Sequence, residues 1–390
     1  MFACPMAQPN CTNFCMKIEF YKHNLTGQDR REVNAVIDSL FLTTGEWTKK
    51  FEEKLAQYVG GKYAVGLMSC THALELALRY FDIGKGDEVI TTPMSFVATA
   101  NAVEYVGAKP VFVDVEKSTG NIDADLIEGV ITKNTKAVLP VHLYGQVCDM
   151  RKIKSIADKY DLKIIEDAAH SLEGTRDGIR VGEAGDIACL SFYATKSITS
   201  GEGGAITCND QNIYEWMLKA RQHGLESGAA DRYIKKYKHY DMEFLGVKCN
   251  MSNILAALLL NQIDRVDEVL KEKENIAVKY DEGFKSNPHI KIPSVLKNSR
   301  HARHLYTIWV NHEKRDEYLE KIYESEVGAV VNYRPIHLMK YYKEKYGYKP
   351  GDFPIAEKIG ASTISIPFYS KLKDEETAHV IDVINKIVTS

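Results

Sequence analysis

The chain has 390 residues, of which 45% are hydrophobic and 26% charged, and a formal net charge of −3. That is the composition of a globular protein of two or three domains. It excludes a basic field for nucleic acid and a polybasic patch for an anionic membrane, and no apolar run approaches the roughly 20 residues of a membrane-spanning helix.

The first fifteen residues lack a positive n-region and an apolar h-region, so they do not read as a secretory signal. Met16 is the expected natural start, residues 1–15 an unstructured extension, and the cytoplasm the expected location. Eight cysteines occur. Cys4, Cys11 and Cys15 crowd the N-terminus without a fourth ligand at suitable spacing, so no metal site is expected. Cys70, Cys148, Cys189, Cys208 and Cys249 read as reduced, small core residues in a chain too long for a disulfide framework.

Apolar residues at three- and four-residue spacing predict helices from Gln28 to Leu40 and from Lys49 to Val59. A short strand starts at Tyr63, and Ser69-Cys70-Thr71 caps a helix to about Tyr80. Strand and helix then alternate: strands at Glu88–Thr92, Pro110–Val113, Ala137–Pro140, Lys163–Glu166, Ile187–Ser191 and Gly204–Thr207, helices near Ser95–Val106 and at Asp149–Tyr160. This pattern predicts an α/β fold with a mostly parallel central sheet flanked by helices. Ligands of such sheets sit outside the carboxyl ends of the strands, where Thr71, Asp167 and Ser191–Lys196 all fall. Past residue 250 the character changes. Ser252–Phe284 reads as one long helix, followed by strands near Ala302–Val310 and helices at Asp316–Ser325 and Glu375–Val388. The division expected is a large domain over residues 16–260 and a smaller C-terminal α+β domain over 261–390.

Four features follow in order, each weak alone. Ser69-Cys70-Thr71-His72 opens a helix straight after a strand, where free N–H groups can hold a phosphate; alone it reads as a plain N-cap. Glu166-Asp167-Ala168-Ala169-His170 puts a carboxylate at a strand end. Lys196 follows a strand and precedes Gly201-Glu202-Gly203-Gly204, among small and apolar residues where burial would free its amine as a nucleophile. Glycines at 201, 203 and 204 allow close backbone approach. Gly246-Val-Lys248-Cys-Asn250 sets a basic and an amide side chain before the long helix. One chemistry needs all four: an aldehyde cofactor with a pyridine ring and a phosphate. It requires a lysine for the imine, a carboxylate at the ring nitrogen, a phosphate cradle, and a ring or imidazole against the pyridine face. The candidates are Lys196, then Asp167, then Thr71 with Ser191 and Lys248, then Phe96 with His170.

At these residues the chain resembles the DegT/DnrJ/StrS sugar aminotransferases, within fold type I of the pyridoxal-phosphate enzymes. The resemblance runs from about residue 18 to the C-terminus. It includes Leu42-Thr-Thr-Gly45, the Ser-Cys-Thr turn, Pro93-Met-Ser-Phe96-Val-Ala-Thr, Pro140-Val-His-Leu-Tyr-Gly145, Glu166–His170, Ser191–Lys196, Gly201–Gly204, Gly246–Met251 and Tyr333-Arg-Pro-Ile-His337. It implies that Lys196 joins the pyridoxal 5′-phosphate aldehyde and shuttles the proton. It places Asp167 at the pyridine nitrogen, Phe96 on one ring face and His170 near the ring oxygen. Thr71, the His72 backbone and Ser191 would hold the phosphate, Lys248 would reach it across the boundary of a homodimer, and Asn250 would be a further cofactor-binding residue. Tyr333 and His337 would face the sugar nucleotide. The implied reaction moves an amino group from glutamate to a UDP- or dTDP-linked 4-keto-6-deoxyhexose, with a 3-keto sugar nucleotide or a keto-cyclitol as alternatives. A pyridoxal-phosphate lyase, and a non-catalytic sensor of the cofactor or a sugar nucleotide, are the readings of another class.

Three departures from the family pattern stand out. Cys70 replaces the usual glycine of the phosphate turn, and would be strained if that turn needed φ > 0. Lys248 and Asn250 stand where many members carry Asn and Arg, which leaves Arg221 and Arg334 as candidates for the donor carboxylate. Lys196 argues against the dehydratase relatives, in which histidine takes its place.

Overall fold

The short apolar runs assemble into one seven-stranded sheet. The computed structural model describes residues 16–226 and 239–389. The extension expected over residues 1–15, with Cys4, Cys11 and Cys15, lies outside them. Two helices lead in, α1 (Gly27–Ile37) and α2 (Glu46–Val59). There follow β1 (Tyr63–Leu67), α3 (Cys70–Tyr80), β2 (Glu88–Thr91), α4 (Ala98–Tyr105), β3 (Lys109–Phe112), β4 (Thr135–Val138), α5 (Met150–Tyr160) and β5 (Lys163–Asp167). A small hairpin, β6 (Thr175–Arg176) and β7 (Ile179–Arg180), precedes β8 (Ile187–Ser191), β9 (Gly204–Cys208) and α6 (Gln211–Ala220). The strand order is β1-β9-β8-β5-β4-β2-β3. Pairing is parallel from β8 across to β3, and β9 alone runs against its neighbours.

Both faces of the sheet are covered, which is why its strands read as continuous apolar runs. One face packs on Phe51 and Leu55 of α2 and Ile153 of α5. The other packs on Leu74 of α3, Val103 of α4 and Met217 of α6. Side-chain caps fix the helix starts: Asp149 accepts from Lys152 N–H at 3.1 Å, and Ser69 from His72 N–H at 3.2 Å. The five described cysteines are free and buried.

The stretch expected as one helix over Ser252–Phe284 is two, α7 (Asn253–Asp264) and α8 (Val266–Phe284), broken at Arg265 (φ −112°, ψ 8°). The Arg265 guanidinium donates to both oxygens of fully buried Asp29 (3.0 and 2.6 Å) and to the Asn24 carbonyl. A tertiary ion pair thus accompanies the break in a strong local pattern. Beyond it, β10 (Ser299–Arg300) joins the β6–β7 hairpin. The strand expected near Ala302–Val310 shortens to β11 (Tyr306–Trp309). The residues before it bond elsewhere: Ala302 N–H donates to Gly145 O (2.8 Å) and His304 N–H to Tyr144 O (3.1 Å). Gly145, at φ +110°, permits that approach, since a Cβ there would lie 2.8 Å from the Arg303 nitrogen.

The rest comprises α9 (Arg315–Glu324), α10 (Lys340–Tyr346), α11 (Pro354–Ser362), β12 (Thr363–Ile366), antiparallel to β11, and α12 (Asp374–Thr389). Tyr280, Ile308, Ile322, Ile366 and Ile384 form a second core. Ile18, expected with the large domain, packs into it and bridges to Val327. Among the described residues no helix is long and apolar enough to cross a membrane.

Candidate active site

The carboxyl ends of β5 and β8, the N-terminus of α3 and the segment before β11 enclose a cavity of about 510 Å³. Seven of the residues singled out in the sequence line it: Thr71, Phe96, Asp167, His170, Ser191, Lys196 and Tyr333. They come from five separate stretches of chain, and the sheet brings them together.

Asp167 ends β5 and is 5% exposed. Thr99 Oγ1 donates to its Oδ2 at 2.7 Å, Ala169 N–H to its Oδ1 at 3.2 Å, and Cys70 Sγ lies 4.0 Å from Oδ1. Burial raises its pKa above the ordinary carboxylate range, opposed by the Thr99 and Ala169 hydrogen bonds and the Lys196 charge. Desolvation lowers the Lys196 ammonium to about 8, with the Asp167 and Cys70 charges pulling the other way. A substantial share of this amine is therefore neutral near physiological pH, as a nucleophile requires.

Two imidazoles lie beside it, His170 and His304, with centroids 4.2 Å apart and ring planes tilted by 31°. Burial first, then the Lys196 charge, holds both well below the usual histidine range. His170 Nδ1 accepts from Tyr144 N–H (3.3 Å), so its proton belongs on Nε2, 3.1 Å from the Tyr333 hydroxyl. His304 Nε2 lies 3.3 Å from Lys196 Nζ.

The start of α3 depends on Gly204. A Cβ there would fall 2.2 Å from the Ser69 carbonyl carbon and 2.4 Å from the Cys70 nitrogen, so only glycine lets α3 start against β9. Gly203 is likewise crowded, whereas Gly201 has open space and φ +82°. Cys70 is the first residue of α3 and is not among the positive-φ residues, so the strain expected of a cysteine in this turn does not arise. The N–H groups of Cys70 and Thr71 point out of the helix start without intrahelical acceptors. The His72 N–H does not join them, because it is committed to Ser69 Oγ.

Other candidates lie elsewhere. His337, expected at the sugar, is 0% exposed; it bonds Glu357 Oε1 at 3.1 Å and packs edge-on against Phe353, so it cannot touch a ligand in the cavity. Arg221 is buried and committed to Glu52 and to Gly66 O, which leaves it no free face for a carboxylate. Exposed Arg334 donates to Leu338 O and does not line the cavity. Lys248 and Asn250 also lie off this cavity; Lys248 is exposed and donates to Asn250, whose amide donates to Thr44 Oγ1 at 2.6 Å. Sequence reasoning gave no site role to Thr99, which ends the Pro93–Thr99 motif, nor to His304 and Asn332. Thr99 lies inside an expected helix and His304 inside an expected strand, so neither carried a loop signal. Only the contact with Tyr144 and Gly145 turns His304 into the cavity.

A family model described as the DegT/DnrJ/EryC1/StrS aminotransferase family matches residues 23–385. The chain is 39% identical to the Bacillus subtilis spore coat polysaccharide biosynthesis protein SpsC, over 94% of this chain and 96% of that one. It is 33% identical to GDP-perosamine synthase of Escherichia coli O157:H7, over 95% and 98%. Among solved structures, Spr1654 of Streptococcus pneumoniae, named for sugar aminotransferase activity and solved in PMP and PLP forms, superimposes in its PMP form with a TM-score of 0.90. That match has 31% identity and covers 95% of this chain and 99% of that one.

Proposed function

We propose, from the premise that this chain belongs to the DegT/DnrJ/EryC1/StrS aminotransferase family, that it moves an amino group from glutamate to a keto-sugar carried on a nucleotide. The chain is a pyridoxal-phosphate-dependent aminotransferase of fold type I. The observation that carries the fuller reading is a lysine amine held at about 8 on the wall of the same cavity as a buried carboxylate.

The donor set fits the cofactor: an amine for its aldehyde, a carboxylate for its ring nitrogen, free N–H groups for its phosphate and exposed Phe96 for its ring face. When bound, the cofactor supplies an electron-poor ring that takes up the charge left by a departing Cα proton. Lys196 would hold the cofactor by its aldehyde, and its free amine would take up and return the proton. Asp167 serves as counter-ion to the ring nitrogen, and Thr71 with Ser191 and the α3 N-terminus binds the phosphate. Phe96 and His170 flank the ring, and Tyr333 faces the sugar side. Lys248 and Asn250 serve the cavity of a second copy. The exposed apolar side chains of Met68, Phe96, Tyr193 and Leu245 support a homodimer that covers them.

The proposed acceptor is a UDP- or dTDP-linked 4-keto-6-deoxyhexose; the relative named for a GDP-linked sugar adds GDP to the nucleotides to test. Purified protein with pyridoxal phosphate should show a visible chromophore that glutamate bleaches. A panel of 4-keto and 3-keto sugar nucleotides and a keto-cyclitol should then restore it selectively. Lys196→Ala should keep the circular dichroism of the fold and lose both chromophore and turnover; full transamination by that variant would refute the assignment.

A further inference from the structure

The back of Lys196 carries chemistry that the reaction above does not use. His304 Nε2 lies 3.3 Å from Lys196 Nζ; facing the ammonium, which can only donate, Nε2 accepts and the imidazole proton belongs on Nδ1. That atom is buried and, among the described residues, has no hydrogen-bond partner. A buried donor left so costs about 1–3 kcal/mol in general, which calls for an acceptor. His304 also lines a small space of about 10 Å³, together with Lys196, Ser197, Leu172 and Ser191. That is about the size of one water. Glu173, next in the chain to Leu172, is 4% exposed; burial raises its carboxyl pKa, opposed by the Lys273 charge and the Ser197 hydroxyl, and among the described residues its Oε2 has no hydrogen-bond partner. Its other side borders an opening of about 170 Å³ with Tyr58, Asp267 and Arg300.

We propose that His304 and one water seated in this space form the proton-exchange arm of Lys196, leading away from the cofactor side toward Glu173 and solvent. When the Lys196 ammonium gives up a proton, its N–H bond breaks as Nε2–H forms on His304, the Nδ1–H bond breaks as the water takes that proton, and the water releases one of its own O–H protons to the Glu173 carboxylate or to solvent; the reverse sequence returns it. His304 thus acts through Lys196 as a positioning residue. The charged and titratable groups facing the pair are Asp167 at the end of β5, Cys70 on α3, His170 after β5, and Lys273 on α8 with His301 before β11.

This inference rests on the aminotransferase reading, and its test separates the two. Cofactor-free full-length protein is mixed with pyridoxal phosphate, and the rate of chromophore growth is followed against pH. The wild type should show a midpoint near 8, because only the neutral amine reacts. His304→Phe keeps the ring on His170 and removes the acceptor that favours the ammonium, so the midpoint should fall by about one unit. His304→Gln, whose amide oxygen still accepts, should return it toward the wild-type value. A rate and a midpoint both unchanged from the wild type would mean that His304 only packs, and would overturn the proposal. If His304→Phe does not fold, a crystal structure of the wild type decides: an ordered water on His304 Nδ1 is expected, and a dry space overturns the arm. No chromophore at any pH would instead sink the aminotransferase reading itself.

Discussion

Asp167 shows how one residue is tuned against its surroundings. Burial pushes its carboxyl up, while Thr99, the Ala169 N–H and Lys196 hold charge on it. A protonated ring nitrogen in the cavity would add a further favourable partner, so Asp167 is a carboxylate placed at a cost that its ligand offsets. Asp167→Asn preserves the shape and can still accept from Thr99, yet carries no charge to keep that nitrogen protonated. We expect the variant to bind the cofactor and show a chromophore while turnover falls about 10²–10³-fold. Single-turnover kinetics would check this, and a rate within a few-fold of wild type would remove Asp167 from the chemistry.

At the scale of elements, the site depends on α3 docking onto β9. Gly204→Ala would press a methyl group into the backbone of Ser69 and Cys70, which cannot yield as a side-chain tip can. The expected results are a loss of about 1–3 kcal/mol in stability and weaker cofactor binding, read by thermal melting with and without pyridoxal phosphate. Stability unchanged in both forms would show that α3 docks differently. The break between α7 and α8 makes a second prediction. Arg265→Met leaves Asp29 buried without its partner, at a cost of about 3 kcal/mol, while the site itself is untouched. Urea denaturation should show that loss, with cofactor affinity unchanged in the folded protein.

At the scale of the whole molecule, the residues split by where they lie. Lys196 and Asp167 line the chain's own cavity, whereas Lys248 and Asn250 do not. In the proposed homodimer, Lys196→Ala and Lys248→Ala disable a site from opposite chains. Mixing the two variants under conditions that exchange subunits should therefore create sites with both lysines and recover activity that neither variant has alone. No recovery, with exchange verified by mass, would mean that Lys248 does not cross between copies.

The alternation of apolar runs determined the sheet and its helices, because covered parallel strands must be apolar and helix starts need Ser or Asp caps. The order of motifs pointed to Lys196, Asp167, Thr71, Ser191, Phe96 and His170, since strand ends are where such folds leave room, and the family resemblance added Tyr333; all seven line the cavity. What the linear pattern could not carry was any pairing across distant stretches. His337 and Arg221 looked available, but neighbours remote in sequence, Glu357 and Glu52, had already taken them. The break at Arg265 coincides with a buried Asp29 some 236 residues away in the chain. His304 reads as one more residue of a strand until Gly145 lets the backbone approach and turn it toward Lys196. Periodicity and capping are local and so are written in the sequence; desolvation, ion pairing and close backbone approach depend on which distant groups meet, and only the folded chain decides that.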